Sequence, residues 1–325
     1  MNRVKKMLIC GATGFLGRNL IDFFKKLEDY EVYGVALKRE NKSLSKDRFF
    51  KADLTDKNQV NELFSKNQFD IVIQGAARTS GSKDILEKPY IHVTDNAVMN
   101  SLILQACYDH DVGHFIFTSC GVMYNPDRTP VSEVDFHIEE GIYPKYYGVG
   151  WTKVYVEKLC NFYARLGKTK HTVMRLSNAY GPYDKYDLKK SHFFGATITK
   201  VLSSSNKDEI VVWGDGSTER DLLHVDDVVQ FVHKAIENQT DNYRLYNVGY
   251  GESFSVKEIV QMIVKQSGKE LSIVNDLTKP SINTKLALLS NKAKKEIGWE
   301  PKISIQEGIQ KTIDWWYNNF DKEQK

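Results

Sequence analysis

The stretch Met7-Leu8-Ile9-Cys10-Gly11-Ala12-Thr13-Gly14-Phe15-Leu16-Gly17-Arg18-Asn19-Leu20 decides the fold. An apolar run leads into three glycines at intervals of three residues, and apolar residues then recur at helical spacing. A strand, a tight glycine turn and a helix N-terminus present unpaired N–H groups and the positive end of a helix dipole to an anion. The spacing is GxxGxxG rather than GxGxxG, and a glycine pattern alone is a weak signal for an anion site. The alternating strands and helices predicted after it make this interpretation stronger.

Beyond this turn, the first half of the chain alternates short apolar segments with amphipathic ones. This alternation predicts an α/β fold with a Rossmann-type doubly wound parallel sheet, which binds ligands beyond the carboxyl ends of its strands. The predicted strands are Lys6–Cys10, Glu31–Ala36, Arg48–Lys51, Ile71–Gln74, His114–Thr118 and Thr172–Leu176, and the predicted helices are Gly14–Leu27, Lys57–Lys66, Asp95–His110 and Val149–Leu166.

The rhythm changes after Asn178-Ala179-Tyr180-Gly181-Pro182, where segments become shorter and aromatic residues more frequent. This change predicts a smaller C-terminal α/β lobe for a substrate. We expect a helix from about Val225 to Asn238 and a strand at Leu245–Val248 to return to the main sheet. The predicted boundaries are 1–177 with about 225–250 for a dinucleotide-binding domain, and 178–224 with 251–325 for the lobe. The charged tail past Phe320 is expected to fray.

The composition of the chain argues against several classes of protein. The 325 residues are 41% hydrophobic and 27% charged with a net charge of +3, and no basic block is interleaved with aromatics, so a nucleic-acid partner is not expected. No apolar run approaches the ~18 residues that span a bilayer, and the short one near the start reads as a strand rather than a signal peptide. The four scattered cysteines have no metal-ligand spacing and suit reduced thiols in the cytoplasm.

Further motifs follow the glycine turn in order, and together they resemble a known family. With that turn, they make the chain similar over nearly its whole length to the extended short-chain dehydrogenase/reductases of the NAD-dependent epimerase/dehydratase type. Two more segments resemble those of GDP-sugar enzymes of the GDP-fucose synthase kind, Lys190-Ser191-His192 and Val211-Val212-Trp213-Gly214-Asp215-Gly216. The family motifs are Ala52-Asp53-Leu54-Thr55-Asp56, Gly75-Ala76-Ala77, Asn178-Ala179-Tyr180-Gly181-Pro182, Arg220-Asp221-Leu222-Leu223-His224-Val225-Asp226-Asp227 and Asn247-Val248-Gly249.

The resemblance implies a tightly bound nicotinamide dinucleotide, either NAD or NADP. Asp53 and Leu54 would meet the adenine, although Asp53 also suits the cap of a helix that starts nearby. Ala76 and Ala77 would line the cofactor after the fourth strand, and Lys153 would bond the nicotinamide ribose. The glycine turn would hold the dinucleotide through Gly11, Thr13, Gly14, Phe15, Leu16 and Gly17.

The end of the second strand bears on the choice between the two cofactors. An acidic residue there favours NAD by accepting hydrogen bonds from the ribose 2′-hydroxyl, whereas a basic residue accommodates the 2′-phosphate of NADP. The chain has Lys38 and Arg39 at this turn, with Glu40 directly after them. The two cations give a slight preference for NADP, although they also suit solvated loop residues.

The predicted catalytic centre departs from the family pattern. Such enzymes use Tyr-x-x-x-Lys on one helix face, where the lysine lowers the pKa of the phenol so that it can exchange a proton with the sugar hydroxyl. The lysine is Lys153, but the residue four positions before it is Val149. The family's Ser/Thr partner falls on Cys120, directly after Ser119, and a thiol is a poorer hydrogen-bond donor than a hydroxyl.

Three interpretations of Val149 stay open. The enzyme still transfers hydride and another group relays the proton, with His192 or Tyr147 as candidates; Tyr146 would share the lysine's face of a continuous helix but lie two turns, ~10 Å, away. Alternatively, Val149 is an engineered change. Finally, the protein no longer catalyses and instead binds a nucleotide sugar or NAD(P). No metal is expected in any of the three.

On the substrate side, the resemblance implies that Asn178 and His192 line the sugar and that Arg220 clamps the diphosphate. Trp213 would support the nucleotide, with core packing as the other interpretation, and Lys285 would reach the sugar or phosphate. The predicted function is therefore NAD(P)-dependent redox chemistry at carbon 4 of a GDP-hexose or GDP-heptose used in surface-polysaccharide synthesis.

The alternative enzyme is an epimerase/reductase of the GDP-fucose synthase type. That reaction is disfavoured because the family's acid/base cysteine corresponds to Val122, and Cys120 would need a lowered pKa to replace it. The resemblance also implies a homodimer built on the helices at Asp95–His110 and Val149–Leu166. Their apolar residues would form its interface or pack in the core: Val98, Leu102, Leu104, Ala106, Val154, Val156, Leu159 and Phe162.

Overall fold

The computed structural model describes residues 3–78, 88–188, 191–278 and 284–320. A seven-stranded parallel sheet forms its centre, in the order β11-β6-β5-β4-β1-β2-β3. The α/β Rossmann-type fold predicted from the sequence is therefore confirmed. Its strands are β1 (Lys5–Cys10), β2 (Tyr30–Ala36), β3 (Phe49–Lys51), β4 (Ile71–Gln74), β5 (His114–Cys120), β6 (Lys170–Leu176) and β11 (Tyr243–Val248).

Helices cover both faces of this sheet, and each face has its own buried apolar cluster. One cluster packs around Leu20 and Phe231, and the other around Ile103 and Val156. Burial of these stripes stabilises the helices more than their intrinsic propensity does. The helices are α1 (Phe15–Phe24), α2 (Lys57–Ser65), α3 (Thr94–Asp109), α4 (Tyr147–Arg165), α5 (Phe193–Ser203), α6 (Val225–Asn238), α7 (Val256–Ser267), α8 (Asn291–Ile297) and α9 (Ile305–Trp315).

A third apolar cluster lies in the C-terminal part of the chain, around Phe194, Ile259 and Ile309. It packs α5, α7 and α9 against short two-stranded sheets. Strand β11 instead pairs with β6 of the main sheet, and helix α6 packs against that sheet, as the sequence predicts. The short strands are β7 (Asn178–Tyr180), β8 (Glu209–Trp213), β9 (Glu219–Arg220), β10 (Leu222–His224), β12 (Phe254–Ser255) and β13 (Ser272–Asp276).

Several predicted element ends differ from the structure. Helix α1 ends at Phe24 rather than Leu27, and Arg48 lies in a short 3-10 helix instead of a strand. Helix α4 begins at Tyr147, two residues before the predicted start. This last difference changes the catalytic centre, because it alters where the residues before Lys153 point. The tail past Phe320 lies outside the described residues.

The apolar stripes of α3 and α4 serve mostly as core. Leu104, Ala106, Val154 and Val156 are buried within the chain itself, so the prediction that they offer an interface is wrong for these four. Val98 and Phe162 are exposed, and the homodimer stays a prediction. Among the described residues, no helix is long and apolar enough to cross a membrane, and no cluster of three metal-ligating side chains occurs.

Candidate active site

All strands of the main sheet run parallel, so their carboxyl ends meet at one edge. The strand order reverses between β1 and β4, and doubly wound folds bind ligands at this switch point. Gly11 follows β1 and Gly75 follows β4, while β5 ends at Cys120. Asn178 comes soon after β6. The segments named by the family motifs therefore lie along a single edge.

The glycine turn is a close approach of three backbone segments. Gly11 has a φ of +79°, and a Cβ there would lie 2.9 Å from the backbone of Ala76. A Cβ on Gly17 would lie 2.3 Å from the Gly11 carbonyl oxygen. Helix α1 begins just after Gly14 without a side-chain cap, which leaves the N–H groups of its first turn open to an anion. This cradle fits the pyrophosphate of a dinucleotide.

Other predicted cofactor residues flank the cradle. Ala76 donates its N–H to the Gln74 side chain at 3.1 Å, and Ala77 is exposed. Thr13 is half-buried in the turn, whereas Leu54 is buried in the core. These placements agree with a lining role for the alanines, which stays a prediction.

Asp53 is not a helix cap. Its carboxylate accepts hydrogen bonds from the Thr55 hydroxyl at 2.7 Å and the Thr55 N–H at 2.9 Å, and these bonds lower the pKa of Asp53. The cap of α2 is Asp56, which accepts from the N–H groups of Asn58 and Gln59. The capping interpretation of Asp53 is therefore wrong, and its adenine role stays a prediction.

The turn after β2 presents Lys38 and Arg39 at the surface, where both side chains are exposed. Glu40 is paired with Lys51 at 2.6 Å, which draws its carboxylate away from the turn. Sequence reasoning missed Asn41, whose buried amide donates to the Ala12 carbonyl at 2.7 Å and so ties this loop to the glycine turn. An asparagine between charged residues offers no periodic signal that would reveal this contact.

Lys153 reaches the end of β5 from helix α4. Its Nζ donates to the Thr118 carbonyl at 2.6 Å and lies 4.8 Å from the centre of the Phe117 ring. Burial lowers the pKa of Lys153, and the neighbouring Cys120 and Glu157 oppose that shift. Burial raises the pKa of Cys120, which Lys153 partly offsets. The Lys153 ammonium and the Cys120 thiol thus influence each other's ionisation near the end of β5, and the catalytic roles of both stay predictions.

Ser119 points the other way, since successive residues of a strand alternate between faces. Its hydroxyl donates to the buried Glu157 carboxylate at 2.6 Å, and Glu157 is also held by Arg175 through two hydrogen bonds. Arg175 in turn donates to the Tyr124 hydroxyl, which donates to Asn247 at 2.6 Å. This buried network holds β5 and α4 together with β11, and it does not bring the Ser119 hydroxyl to Cys120.

Three neighbouring residues at the start of α4 differ in their burial and in the groups that they face. Val149 is half-buried in the first turn of the helix. Tyr147 is 62% exposed, with its ring 6.2 Å from that of Trp151. Tyr146 is the residue just before the helix, and its half-buried ring faces a cleft.

That cleft has a volume of about 90 Å³ and is partly open to solvent. Asn178 lines it, with its amide donating to the Asp221 carbonyl at 3.0 Å. Arg220 also lines it, and its guanidinium is anchored by the Thr284 hydroxyl at 3.0 Å. Burial lowers the pKa of Arg220, and Tyr146 opposes that shift. The lining residues are Gly121, Val122, Tyr124, Pro126, Tyr143, Tyr146, Asn178, Glu219, Arg220, Thr284 and Leu286.

The loop that carries Arg220 is fixed by the residue after it. The buried Asp221 carboxylate accepts the N–H groups of Tyr250, Gly251 and Leu288 at distances from 2.9 to 3.2 Å. Burial raises the pKa of Asp221 to about 6. A Cβ on Gly249 would lie 2.6 Å from this carboxylate, which explains the glycine of the Asn247-Val248-Gly249 motif. The interpretation that Asp221 supports the loop agrees with these contacts.

Three predicted substrate residues lie outside the cleft lining. His192 is an exposed residue just before α5, and partial desolvation and Lys185 lower its pKa. Trp213 ends β8 and is 56% exposed, so the core-packing interpretation of this residue is wrong. Lys285 pairs with Glu219 of the lining at 2.9 Å. Lys190 of the Lys190-Ser191-His192 motif lies outside the described residues.

A Rossmann sheet with a glycine cradle at its switch point and a lysine at the end of β5 defines a dinucleotide-binding protein with a second ligand cleft. The chain belongs to the NAD dependent epimerase/dehydratase family, whose model matches residues 7–249. Members of this family bind NAD(P).

Curated relatives are similar over almost the full chain. A GDP-L-colitose synthase from Yersinia pseudotuberculosis is 26% identical, covering 98% of this chain and 100% of its own. A GDP-L-fucose synthase from Escherichia coli is 28% identical, covering 83% of this chain and 87% of its own.

Solved structures show the same fold. A UDP-glucose 4-epimerase from Thermotoga maritima with UDP-glucose superposes with a TM-score of 0.85 at 25% identity, covering 97% of this chain and 99% of its own. A GDP-D-glycero-L-gluco-heptose synthase from Campylobacter jejuni with NADPH superposes with a TM-score of 0.80 at 19% identity, covering 98% of this chain and 99% of its own.

Proposed function

We propose that this protein is a nicotinamide-dependent oxidoreductase acting at carbon 4 of a GDP-linked sugar. The observation that carries the proposal is the order of groups along the strand edge. The glycine cradle lies at β1 and β4, Lys153 and Cys120 meet at the end of β5, and the cleft with Arg220 lies beyond β6. A dinucleotide, the reacting carbon of the sugar and the diphosphate would occupy these three places in the same order along the sheet edge.

The chain's own residues supply positioning and charge. A nicotinamide dinucleotide, when bound, supplies the hydride acceptor or donor. Lys153 would bond its ribose and contribute positive charge near Cys120. Arg220, already oriented by Thr284, would clamp the diphosphate, for which a planar guanidinium is suited. Asn178 and His192 would bind the sugar, and Trp213 and Lys285 would bind the nucleotide end.

The guanine base is supported by the two GDP-sugar synthases among the relatives. The role in surface polysaccharides, the homodimer and the cytoplasmic location belong to the same proposal. The fucose synthase type of epimerase/reductase is the weaker alternative. Val122 lines the cleft at the position of the family's acid/base cysteine, and the raised pKa of Cys120 makes this thiol a poor base.

For the cofactor, we favour NADP. Lys38 and Arg39 are exposed and form no salt bridge within the described residues, so both remain open to a 2′-phosphate. Glu40 is held by Lys51, which weakens the case for an acid that accepts the 2′-hydroxyl of NAD. Lys38→Glu combined with Arg39→Glu should weaken the binding of NADP about tenfold and strengthen the binding of NAD about tenfold, which reverses the preference. The reason is that each contact to the 2′-phosphate is a charge-assisted bond.

A second candidate is a binding protein without turnover. The half-buried valine in the first turn of α4 favours it, because Val149 cannot carry a proton. This candidate predicts tight binding of GDP-sugar and dinucleotide with no change in the nicotinamide spectrum.

The test is the absorbance of the purified protein with NAD+ or NADP+ and either GDP-mannose or a GDP-manno-heptose. The appearance of the reduced-nicotinamide band supports the oxidoreductase, and UDP-mannose, which changes only the base of GDP-mannose, serves as the matched control for the base. Binding of both GDP-sugars by calorimetry with no reduced band would overturn the redox proposal in favour of the binding protein.

A further inference from the structure

Tyr146 occupies a different place from the one that a continuous helix would give it. Pro144–Tyr146 forms a short 3-10 helix, and α4 begins only at Tyr147. The backbone of Tyr146 has a φ of −109° and a ψ of 8°, outside the α-helical region. The side-chain direction that a continuous α-helix would impose on this residue therefore does not apply to Tyr146.

The surroundings of Tyr146 link the two ends of the site. Its ring lines the cleft, and its phenol is close enough to interact electrostatically with both Arg220 and Cys120. Cys120 interacts in the same way with Lys153. The phenol thus lines the same cleft as the arginine proposed for the diphosphate and as Gly121, the residue directly after Cys120. A sugar whose diphosphate is bound by Arg220 would lie in this cleft beside Tyr146.

Two of the other phenols nearby are less suited to carry a proton, and a third, Tyr143, lines the same cleft with its ring centre 5.9 Å from that of Tyr146. Tyr124 is buried, and its hydroxyl is committed to Arg175 and Asn247. Tyr147 is exposed beside Trp151. By contrast, the Tyr146 hydroxyl forms no hydrogen bond with another residue of the described part of the chain, which leaves it open to a ligand.

We propose that Tyr146 exchanges the proton with the carbon-4 oxygen of the sugar, in place of the tyrosine that Val149 has replaced. This inference rests on the proposed redox function. In oxidation, the C4–H electron pair leaves as hydride to the oxidised nicotinamide, the hydroxyl proton passes to the Tyr146 phenolate, and a C4 ketone forms. In reduction, the ketone takes hydride from the reduced nicotinamide and a proton from the Tyr146 phenol. The proposed acid/base tyrosine therefore lies three residues before the position that the family uses, just before helix α4 rather than within it.

The electrostatics of Tyr146 set a pH dependence. Desolvation raises the pKa of Tyr146, Arg220 partly opposes that shift, and Tyr143 and Cys120 add to it, so the phenol is protonated near neutral pH. Oxidation needs the phenolate and should therefore accelerate as pH rises through the alkaline range. Reduction uses the phenol and should be fast at neutral pH and slow down in the same range.

The experiment compares Tyr146→Phe with the matched control Tyr163→Phe, which removes a hydroxyl from a half-buried ring on helix α4, outside the cleft. With GDP-mannose or a GDP-manno-heptose as substrate, Tyr146→Phe should lower kcat by at least ~100-fold, the usual size of general acid–base catalysis. KM should change by less than ~3-fold, and the alkaline rise of the oxidation rate should disappear. Tyr163→Phe should keep the wild-type rate and pH profile.

A second measurement needs no turnover. The ultraviolet difference between wild type and Tyr146→Phe reports ionisation of this one phenol. With NADP+ bound, the phenol should titrate at least ~0.5 pH unit lower than with NADPH, because the oxidised ring carries a positive charge. An identical titration in the two complexes would overturn the inference.

The outcomes separate the two proposals. If wild type reduces the dinucleotide and Tyr146→Phe does so equally fast, the inference fails and the proposed function stands. Loss of activity in Tyr147→Phe with full activity in Tyr146→Phe would also overturn it, in favour of the other tyrosine. A wild type that binds the GDP-sugars without reducing either cofactor would overturn the proposed function, and the inference with it.

Discussion

The glycine turn and the catalytic cleft lie on the same edge of one sheet but are built in different ways. The turn is a contact between backbones: Gly11, Gly17 and Ala76 approach so closely that a single added carbon has no room. The cleft is a contact between side chains from distant segments, with Arg220 anchored by Thr284 and its loop held by Asp221. Backbone packing tolerates almost no variation in residue type, whereas side-chain networks allow a function to move between positions. Both regions keep family motifs, as at Gly17 and Arg220, whereas departures from the family pattern lie at Cys120 and Val149, at the end of β5 and the start of α4.

The largest expected effect comes from breaking the backbone contact. Gly17→Ala places a Cβ 2.3 Å from the Gly11 carbonyl oxygen, so helix α1 must shift away from the turn. Overpacking of this kind costs ~1–3 kcal/mol, and the displaced helix N-terminus should weaken dinucleotide binding by about 100-fold. Calorimetry with NADP+ and urea unfolding measure the two effects.

The control is Gly268→Ala, at a φ of +69° with no heavy atom within 4 Å of the added carbon. It should cost only the ~1 kcal/mol of left-handed strain and leave dinucleotide binding unchanged. Equal loss of binding in the two variants would contradict the distinction between the regions.

The next effect tests the side-chain anchor of the cleft. The folded-state pKa of Asp221, about 6, lies above the ordinary value for an unfolded chain, so the folded protein holds this proton more tightly. The resulting stability is present below about pH 4 and lost as pH rises through 6. Between pH 5 and 7.5, the unfolding free energy of wild type should fall by roughly 1–2 kcal/mol relative to Asp221→Asn.

Asp215→Asn is the matched control for this titration. Hydrogen bonds from Ser217 lower the pKa of the exposed Asp215, so its stability is lost only as pH falls below the usual carboxylate range. Its difference from wild type should therefore be constant between pH 5 and 7.5. A constant difference for Asp221→Asn as well would show that the Asp221 carboxyl is not raised.

The third prediction concerns restoring the family's tyrosine at position 149. Val149→Tyr restores a phenol four residues before Lys153, in the first turn of α4. Turnover of a GDP-sugar should increase by ~10-fold or more, because a phenol beside a lysine is better placed for proton exchange. Val149→Phe supplies the ring without the hydroxyl and should give no increase. Equal rates in the two variants would mean that position 149 no longer faces the reacting carbon.

The smallest effect concerns the shape of the cation in the cleft. Arg220→Lys keeps the charge but loses the planar fork that the Thr284 hydroxyl orients. We expect calorimetry to show about tenfold weaker binding of GDP, with unchanged binding of NADP+. Arg165→Lys, at an exposed arginine bonded to Asn161, should leave both affinities unchanged. Unaltered GDP binding in Arg220→Lys would place the diphosphate elsewhere.

The parallel sheet and the lysine at its edge were predictable because each depends on residues close together in sequence. The strands β1, β4 and β5 are short apolar runs, and Gly11, Gly14 and Gly17 lie in one turn. Asn41 and the Arg175–Glu157 pair were missed, because their partners lie in other elements. The helix cap that the sequence left open as an alternative role for Asp53 belongs to Asp56, since two acids in one motif offer the same local signal.

By itself, the sequence determined the fold, the family, the dinucleotide cradle and the absence of a tyrosine at position 149. These features follow from local periodicity, glycine sterics and residue identity. Only the tertiary structure decided that α4 starts after Tyr146 and that this tyrosine lines the same cleft as Arg220. Where a helix begins depends on the packing of the segments around it, and the direction of a side chain at a helix entrance depends on that start.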